Sequence, residues 1–262
     1  MPELPDLQVF SKNLFSKIGN KEIQQVNIYN TKKVNWSKEE IVSIWSNKKI
    51  SSISRSGKEL YFHSNNDDVF SVHLMLKGMF NICIADAIDS VKYKIMSLVF
   101  NDKTSLVISD PRGLCKVTFS PEMTDVPDAL SSDFSYDYFL QCAKNNPRKN
   151  IKALLINQDI IKGIGNAYAD EILWAANISP ESTVGKIPEE YLRKLYLSIR
   201  EVLENAISTI DKIAPGIING EERSFLKIHN PEKQFTDTGD KIIVKKVASK
   251  TTYCTEKQIL FK

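Results

Sequence analysis

Cysteine and histidine are scarce in this chain of 262 residues: Cys83, Cys115, Cys142 and Cys254 lie far apart, and the histidines are His63, His73 and His229. Cysteines without framework spacing exclude a disulfide-stapled fold, so reduced thiols in a cytoplasmic protein are expected. No apolar run approaches the roughly 20 residues that a membrane span needs, and no membrane partner is expected. The first residues carry acids at Glu3 and Asp6 instead of an apolar stretch, which argues against a secretory leader. Strong charge is missing too. A net charge of +3 and a pI near 8.5 do not by themselves argue for nucleic acid. With 42% hydrophobic and 26% charged residues, the composition is that of a water-soluble globular protein. Its length suffices for one large domain or two ordinary ones, each with its own core.

Two features stand out against this plain background. From Lys241 to Lys262 six lysines (Lys241, Lys245, Lys246, Lys250, Lys257, Lys262) face one acid, Glu256. That basic end suits a phosphate-facing element or a solvated tail. The other feature is the opening Met1-Pro2-Glu3-Leu4-Pro5-Asp6. If Met1 is removed, Pro2 carries a free secondary amine, able to attack a sugar carbon and pass to an iminium. Such an α-amino group titrates at about 7.7–8.0, against about 10.4 for lysine, so more of it is unprotonated near neutrality. Glu3 would set a carboxylate beside the reacting centre. Two prolines leading into a helix would produce the same six residues.

Apolar residues at Leu7, Phe10, Leu14 and Ile18 predict an amphipathic helix, with Pro5 at its first position, Asp6 at its positive end and Gly19-Asn20 as its stop. From Ile23 to about Phe119 the pattern is of short strands: Val26–Tyr29, Ile50–Arg55, Leu60–His63, Val69–Leu76, Ser97–Phe100, Ser105–Ile108 and Cys115–Phe119. A hairpin is expected around Asn101-Asp102-Lys103-Thr104. Many short strands without alternating helices point to a sandwich or barrel. Beyond a connector at Pro121–Pro127, helices are predicted at Tyr136–Ala143, Asn150–Ile156 and Asn166–Ala176. A longer one runs from Pro188 to Pro215-Gly216, and two strands, Ile242–Val247 and Thr251–Tyr253, flank Ala248-Ser249. The fold class is α+β.

Gly163-Ile164-Gly165-Asn166-Ala167-Tyr168-Ala169-Asp170-Glu171, preceded by Lys162, is a second anchor. Its glycines allow tight backbone, Asn166 reads as the N-cap, and free amides at a helix N-terminus suit a phosphate. A simple tight turn between packed helices is the other reading.

Together these stretches resemble the formamidopyrimidine-DNA glycosylase/endonuclease VIII family. The resemblance rests on Pro2-Glu3-Leu4-Pro5, Lys58 in Ser56-Gly57-Lys58-Glu59-Leu60, His73-Leu74 with Gly78, Asp110-Pro111-Arg112, and Leu154-Leu155 with Gln158 and Gly163-Ile164-Gly165-Asn166-Ala167-Tyr168-Ala169. It implies an N-terminal β-sandwich catalytic domain over residues 1–127 and a helix–two-turns–helix domain over 128–222. A finger hairpin over 223–262 completes the family's order. It also implies roles: Pro2 as the nucleophile at C1′, Glu3 as the acid–base group, and Lys58 as a phosphate contact that assists proton movement. Asn166 and the amides around Gly165, with Lys162 beside them, would hold backbone phosphate. Leu76, Arg112 and Leu114 stand where the family fills the space left by the extruded nucleotide. Arg112 is kept; leucine at the other two can wedge but not stack. His73 matches a family position on a strand, while His63 and His229 have no assignable partner.

The family's finger commonly holds zinc on two C-x-x-C pairs. Here Cys254 is alone, so ligand count excludes a tetrahedral zinc site, and a zincless finger is expected, with Lys250 near the family's finger arginine. Asp6 stands where the family usually has glutamate. The resemblance implies a bifunctional DNA glycosylase/AP lyase without metal or organic cofactor, acting as a monomer on damaged double-stranded DNA in a bacterial cytoplasm. The segment from Pro215 to Phe225 is short, which leans the substrate toward oxidised pyrimidines, ring-opened purines and hydantoins. An 8-oxoguanine-preferring enzyme, a non-catalytic damage binder on the same fold and a general nucleic-acid-binding protein are the alternatives.

Overall fold

The structure is a computed structural model that describes residues 1–262. Its packing divides into two compact units. One comprises Met1–Pro2, Asp6–Thr124 and Asp211–Glu221; the other Glu3–Pro5, Asp125–Ile210 and Glu222–Lys262.

The first unit is built on two four-stranded antiparallel sheets. Helix α1 (Leu4–Ile18) leads in, followed by β1 (Ile23–Ile28) and helix α2 (Lys38–Trp45). Then come β2 (Ile50–Ser56), β3 (Glu59–Ser64), β4 (Val69–His73), β5 (Met79–Ile84), β6 (Lys94–Phe100), β7 (Thr104–Ser109) and β8 (Lys116–Phe119). The sheet orders are β1-β6-β7-β5 and β2-β3-β4-β8. Aromatic side chains fill the space the sheets share: Phe62 lies 4.6 Å from Phe70 and 5.9 Å from Phe80, and Trp45 closes edge-on against Phe70 at 4.8 Å. Each such fully buried ring contributes roughly 1.5–3 kcal/mol of transfer free energy. The predicted hairpin forms with Leu98 opposite Leu106.

Three local expectations are corrected. Helix α2 interrupts the stretch read as strands alone. It is closed by a capping box in which Ser37 accepts from the Glu40 N–H and Glu40 accepts from the Ser37 N–H, and it buries Ile41 and Trp45. Strand β4 stops at His73 rather than Leu76, because Met75 turns into the left-handed region at φ 54°. Helix α1 begins at Leu4, so Pro5 occupies the first turn instead of the first position.

The second unit is helical, with α3 (Tyr136–Asn145), α4 (Ile151–Leu155), α5 (Asn166–Ala175) and α6 (Glu189–Ile213), then the hairpin β9 (Ile243–Val247) and β10 (Lys250–Cys254). The apolar stripe read along α6 is its buried face, at Leu192, Leu195, Ile199, Leu203, Ala206 and Ile210. The β9–β10 turn has Ala248 and Ser249 both at positive φ, 50° and 60°, the pattern of a type I′ turn. No helix is long and apolar enough to cross a membrane.

Candidate functional site

At the N-terminus of α5 the first amides point at a carboxylate that comes from the other end of the sequence. Glu3 is buried and accepts hydrogen bonds from the N–H groups of Gly165 (2.9 Å), Ala167 (3.0 Å) and Tyr168 (3.3 Å). The Leu4 N–H donates to the Gly163 carbonyl at 3.2 Å and fixes the backbone beside it. A negative side chain at the positive end of a helix, meeting amides that have no intrahelical acceptor, is favourable on both counts. The approach is close enough to require glycine. A Cβ on Gly165 would lie 2.3 Å from Glu3 Cδ, and Gly163 sits at φ 101° with its would-be Cβ 2.5 Å from Leu4.

This arrangement corrects two expectations. The N-cap is Gly165, not Asn166, which is the first residue of the helix. The Gly165 amide, expected to face a phosphate, already donates to the Glu3 carboxylate. Asn166 instead donates its side-chain amide to the Thr251 carbonyl at 2.9 Å, on the strand that starts with the exposed Lys250. Lys162 is held by its backbone, its N–H donating to Pro127 and its carbonyl accepting from Ala129, both at 3.0 Å.

One turn further along α5 lies a cluster that the sequence did not disclose. Asp170 and Lys152 are both fully buried and pair at 2.7 Å. The other oxygen of Asp170 meets His229 Nδ1 at 2.7 Å and accepts the Tyr253 N–H at 3.0 Å, while Lys152 also donates to Thr252 Oγ1 at 2.6 Å. Burial pushes the Lys152 ammonium below its ordinary range, and the Asp170 and Glu3 carboxylates oppose that. Glu171 accepts from the N–H groups of Lys227, Ile228 and His229; burial nonetheless holds its carboxyl above the usual range. Residues 251, 252 and 253 of the hairpin are thus each tied to α4 or α5. Cys254 is buried, and no group of three or more His, Cys, Asp or Glu residues is arranged to hold a metal ion. Of the six lysines at the basic end, Lys245 pairs with Glu181 and Lys257 with Asp240, while Lys246 and Lys250 are exposed.

In the sandwich unit, Pro2 is buried and Met1 extends its α-ammonium to Glu221. Lys58 sits in the two-residue turn between β2 and β3, with Gly57 at φ 58°. Its charge and burial together lower the pKa of His73, burial being the larger cause, and Glu59 opposes them. His73 Nδ1 accepts the Met75 N–H at 3.0 Å, at the start of the turn that leaves Leu76 44% exposed.

A second turn, 110–115, presents Arg112 and Leu114. The Asp110 carboxylate organises it, accepting the N–H groups of Arg112 (2.8 Å), Leu114 (2.5 Å) and Cys115 (2.7 Å). Burial alone would raise this carboxyl, but the three amides and Lys33 outweigh it and hold the pKa below the ordinary range. The same burial, with Asp110 adding to it, pushes the Cys115 thiol up to about 12. Arg112 is exposed and Leu114 is 38% exposed, so neither leucine of the two turns is packed away at a strand end.

Comparison with known proteins decides the family. Residues 1–117 match the formamidopyrimidine-DNA glycosylase N-terminal domain and residues 126–214 the formamidopyrimidine-DNA glycosylase H2TH domain. The formamidopyrimidine-DNA glycosylase of Carboxydothermus hydrogenoformans is 34% identical over 206 residues, covering 78% of this chain and 76% of that one. This chain belongs to the formamidopyrimidine-DNA glycosylase family. The enzyme of that name from Lactobacillus gasseri is 28% identical over 280 residues, with both chains covered completely. Among solved structures, the Lactococcus lactis Fpg bound to oxidized-pyrimidine-containing DNA is similar at a TM-score of 0.85 and 26% identity, over 97% of this chain and 98% of that one. The same protein with Fapy-dG-containing DNA matches at 0.84 over the same shares. The family membership, the α+β class and the order of strands, helices and terminal hairpin therefore agree with the reading of the sequence.

Proposed function

We propose that this family member is a bifunctional DNA glycosylase/AP lyase that excises oxidised bases from double-stranded DNA in base excision repair. The observation that carries the reading is the burial of Glu3 on the N-terminus of α5, which fixes the residue that follows Pro2 in the chain. After removal of Met1, the Pro2 amine attacks C1′ of the damaged nucleotide. The glycosidic bond breaks, its electron pair leaves with the base, and an iminium forms as the sugar opens. The iminium acidifies the 2′ proton, so β-elimination releases the 3′ phosphate and δ-elimination the 5′ phosphate. Glu3 is the acid–base group at the sugar. Lys58, in the turn between β2 and β3, neutralises the phosphate beside it, and Asn166, Lys162 and Lys250 are the phosphate contacts of the helical unit. None of these steps needs a metal or an organic cofactor.

Extruding a nucleotide leaves a gap in the stack, and the exposure of Leu76, Arg112 and Leu114 supports their filling it. Arg112, on a turn made rigid by Asp110, offers a fork of donors to the orphaned base. The named complexes of the Lactococcus lactis relative, with an oxidized pyrimidine and with Fapy-dG, support oxidised pyrimidines and ring-opened purines as the substrates. The shortness of residues 215–225 points the same way. The curated relatives are bacterial, which supports action on cytoplasmic DNA.

A lesion panel with sodium borohydride tests this reading. Thymine glycol and formamidopyrimidine duplexes should be cut and trapped as a protein–DNA adduct. Cleavage of 8-oxoguanine opposite cytosine far faster than either would overturn the substrate assignment, and no adduct on any lesion or abasic site would overturn the lyase. Gly165→Ala should lower base release at least roughly tenfold, because a Cβ at this N-cap position would lie 2.3 Å from Glu3 Cδ and displace the carboxylate. Activity equal to wild type in that variant would remove Glu3 from the chemistry.

A further inference from the structure

Gap filling in this protein lacks an aromatic ring at Leu76 and Leu114, and the sandwich unit supplies one nearby. A cleft of about 290 Å³ beside the 110–115 turn is lined by Asn30, Tyr93, Lys94 and Arg112 among others. Tyr93 is 64% exposed and has a φ of 57°, in the left-handed region. Asparagine or glycine adopts that conformation easily; for a bulky aromatic residue it is a strained outlier. The Tyr93 carbonyl accepts the Asp110 N–H at 3.0 Å, so the ring is attached to the same turn that carries Arg112 and Leu114. The chemistry of the cleft is one-sided. Lys94, held by Asp89 at 2.8 Å and lying over the Tyr29 ring, and Arg112 are its cations, while the Asp110 carboxylate is turned inward onto three amides.

A π-face beside an exposed guanidinium fork in one cleft is an arrangement that holds a nucleobase. Resting on the glycosylase reading above, we propose that Tyr93 stacks the base left opposite the extruded nucleotide, while Arg112 donates to that base's edge. Tyr93 is then a specificity-determining residue: purines, with the larger face, gain most from it. The stacking replaces what leucine at position 114 does not provide.

The test uses a duplex with a tetrahydrofuran abasic analogue opposite 2-aminopurine. This analogue cannot form a Schiff base, so the result does not depend on Pro2, whereas borohydride trapping on a natural abasic site tests Pro2 alone. The wild-type protein should quench the 2-aminopurine on binding, and Tyr93→Phe should do the same. Tyr93→Asn removes the ring but suits the left-handed backbone, so its fold is preserved. It should bind roughly 5- to 100-fold more weakly, the cost of losing one base–aromatic stack, and leave the fluorophore bright. Two results would overturn the proposal: Tyr93→Asn binding and quenching like wild type, or Tyr93→Phe losing as much as Tyr93→Asn, which would assign the contact to the hydroxyl.

Discussion

Protein that retains Met1, or carries any extension before Pro2, is expected to release damaged bases and cut strands at least roughly 10⁴-fold more slowly than protein beginning at Pro2. The reason is electronic. While Met1 is attached, the Pro2 nitrogen is an amide whose lone pair is delocalised into the carbonyl, and it has no nucleophilicity to offer. The α-ammonium then belongs to Met1 and is directed to Glu221. Lysine cannot take over readily, since at a reference pKa of about 10.4 little of it is unprotonated near neutrality. Binding to an abasic-analogue duplex should be preserved within about threefold, because it rests on phosphate contacts that an extra residue does not remove. Single-turnover rates and equilibrium titrations on the two forms make the comparison. Comparable excision rates for the extended and processed forms would remove the Pro2 amine from the mechanism.

The second large effect is expected at Asp170. Asp170→Asn should lower the stability of the helical unit by about 3–5 kcal/mol, the cost of breaking a buried ion pair by removing one partner. Three donors converge on this carboxylate: the Lys152 ammonium, the His229 ring and the Tyr253 amide. An asparagine amide can satisfy at most part of that set and leaves a buried ammonium without its counter-charge. Set against a typical total of about 5–15 kcal/mol, the loss is a large share. Replacing both partners, as in Lys152→Met with Asp170→Leu, should cost much less, because the desolvation of two charges disappears with their attraction. Urea unfolding followed by Trp174, the only tryptophan of the helical unit, measures both. A loss under about 1 kcal/mol in Asp170→Asn would show that the pair does not hold the hairpin to its helices.

The periodic features of the fold were readable in the sequence. The stripe of α6, the apolar spacing of α1 and the β9–β10 hairpin repeat short patterns that burial then realises. Helix α2 was missed because the strands on either side dominated the reading, yet its signal was present: Ser37 and Glu40 in capping-box spacing, and Ile41 with Trp45 one turn apart. The site was legible only in part. Asp110-Pro111-Arg112 and the Gly57-Lys58 turn are local, so their short-range geometry follows from neighbouring residues. The partners of Glu3 are more than 160 positions away, and those of Lys152 include Thr252, 100 positions away. No local pattern marks such pairs. The expectation that Asn166 caps α5 failed for the same reason, since a distant carboxylate had taken the cap's task. His229, for which the sequence named no partner, has one in Asp170.

If a backbone nitrogen performs the chemistry, the covalent bond to the substrate is on that nitrogen. Its position is read by reducing the complex with an abasic or thymine glycol duplex using borohydride, digesting it, and sequencing the modified peptide by mass spectrometry. The expected peptide starts at Pro2, with the deoxyribose remnant on its α-nitrogen and every lysine unmodified. A remnant on Lys58 or any other lysine, or an adduct formed with Met1 still attached, would contradict it.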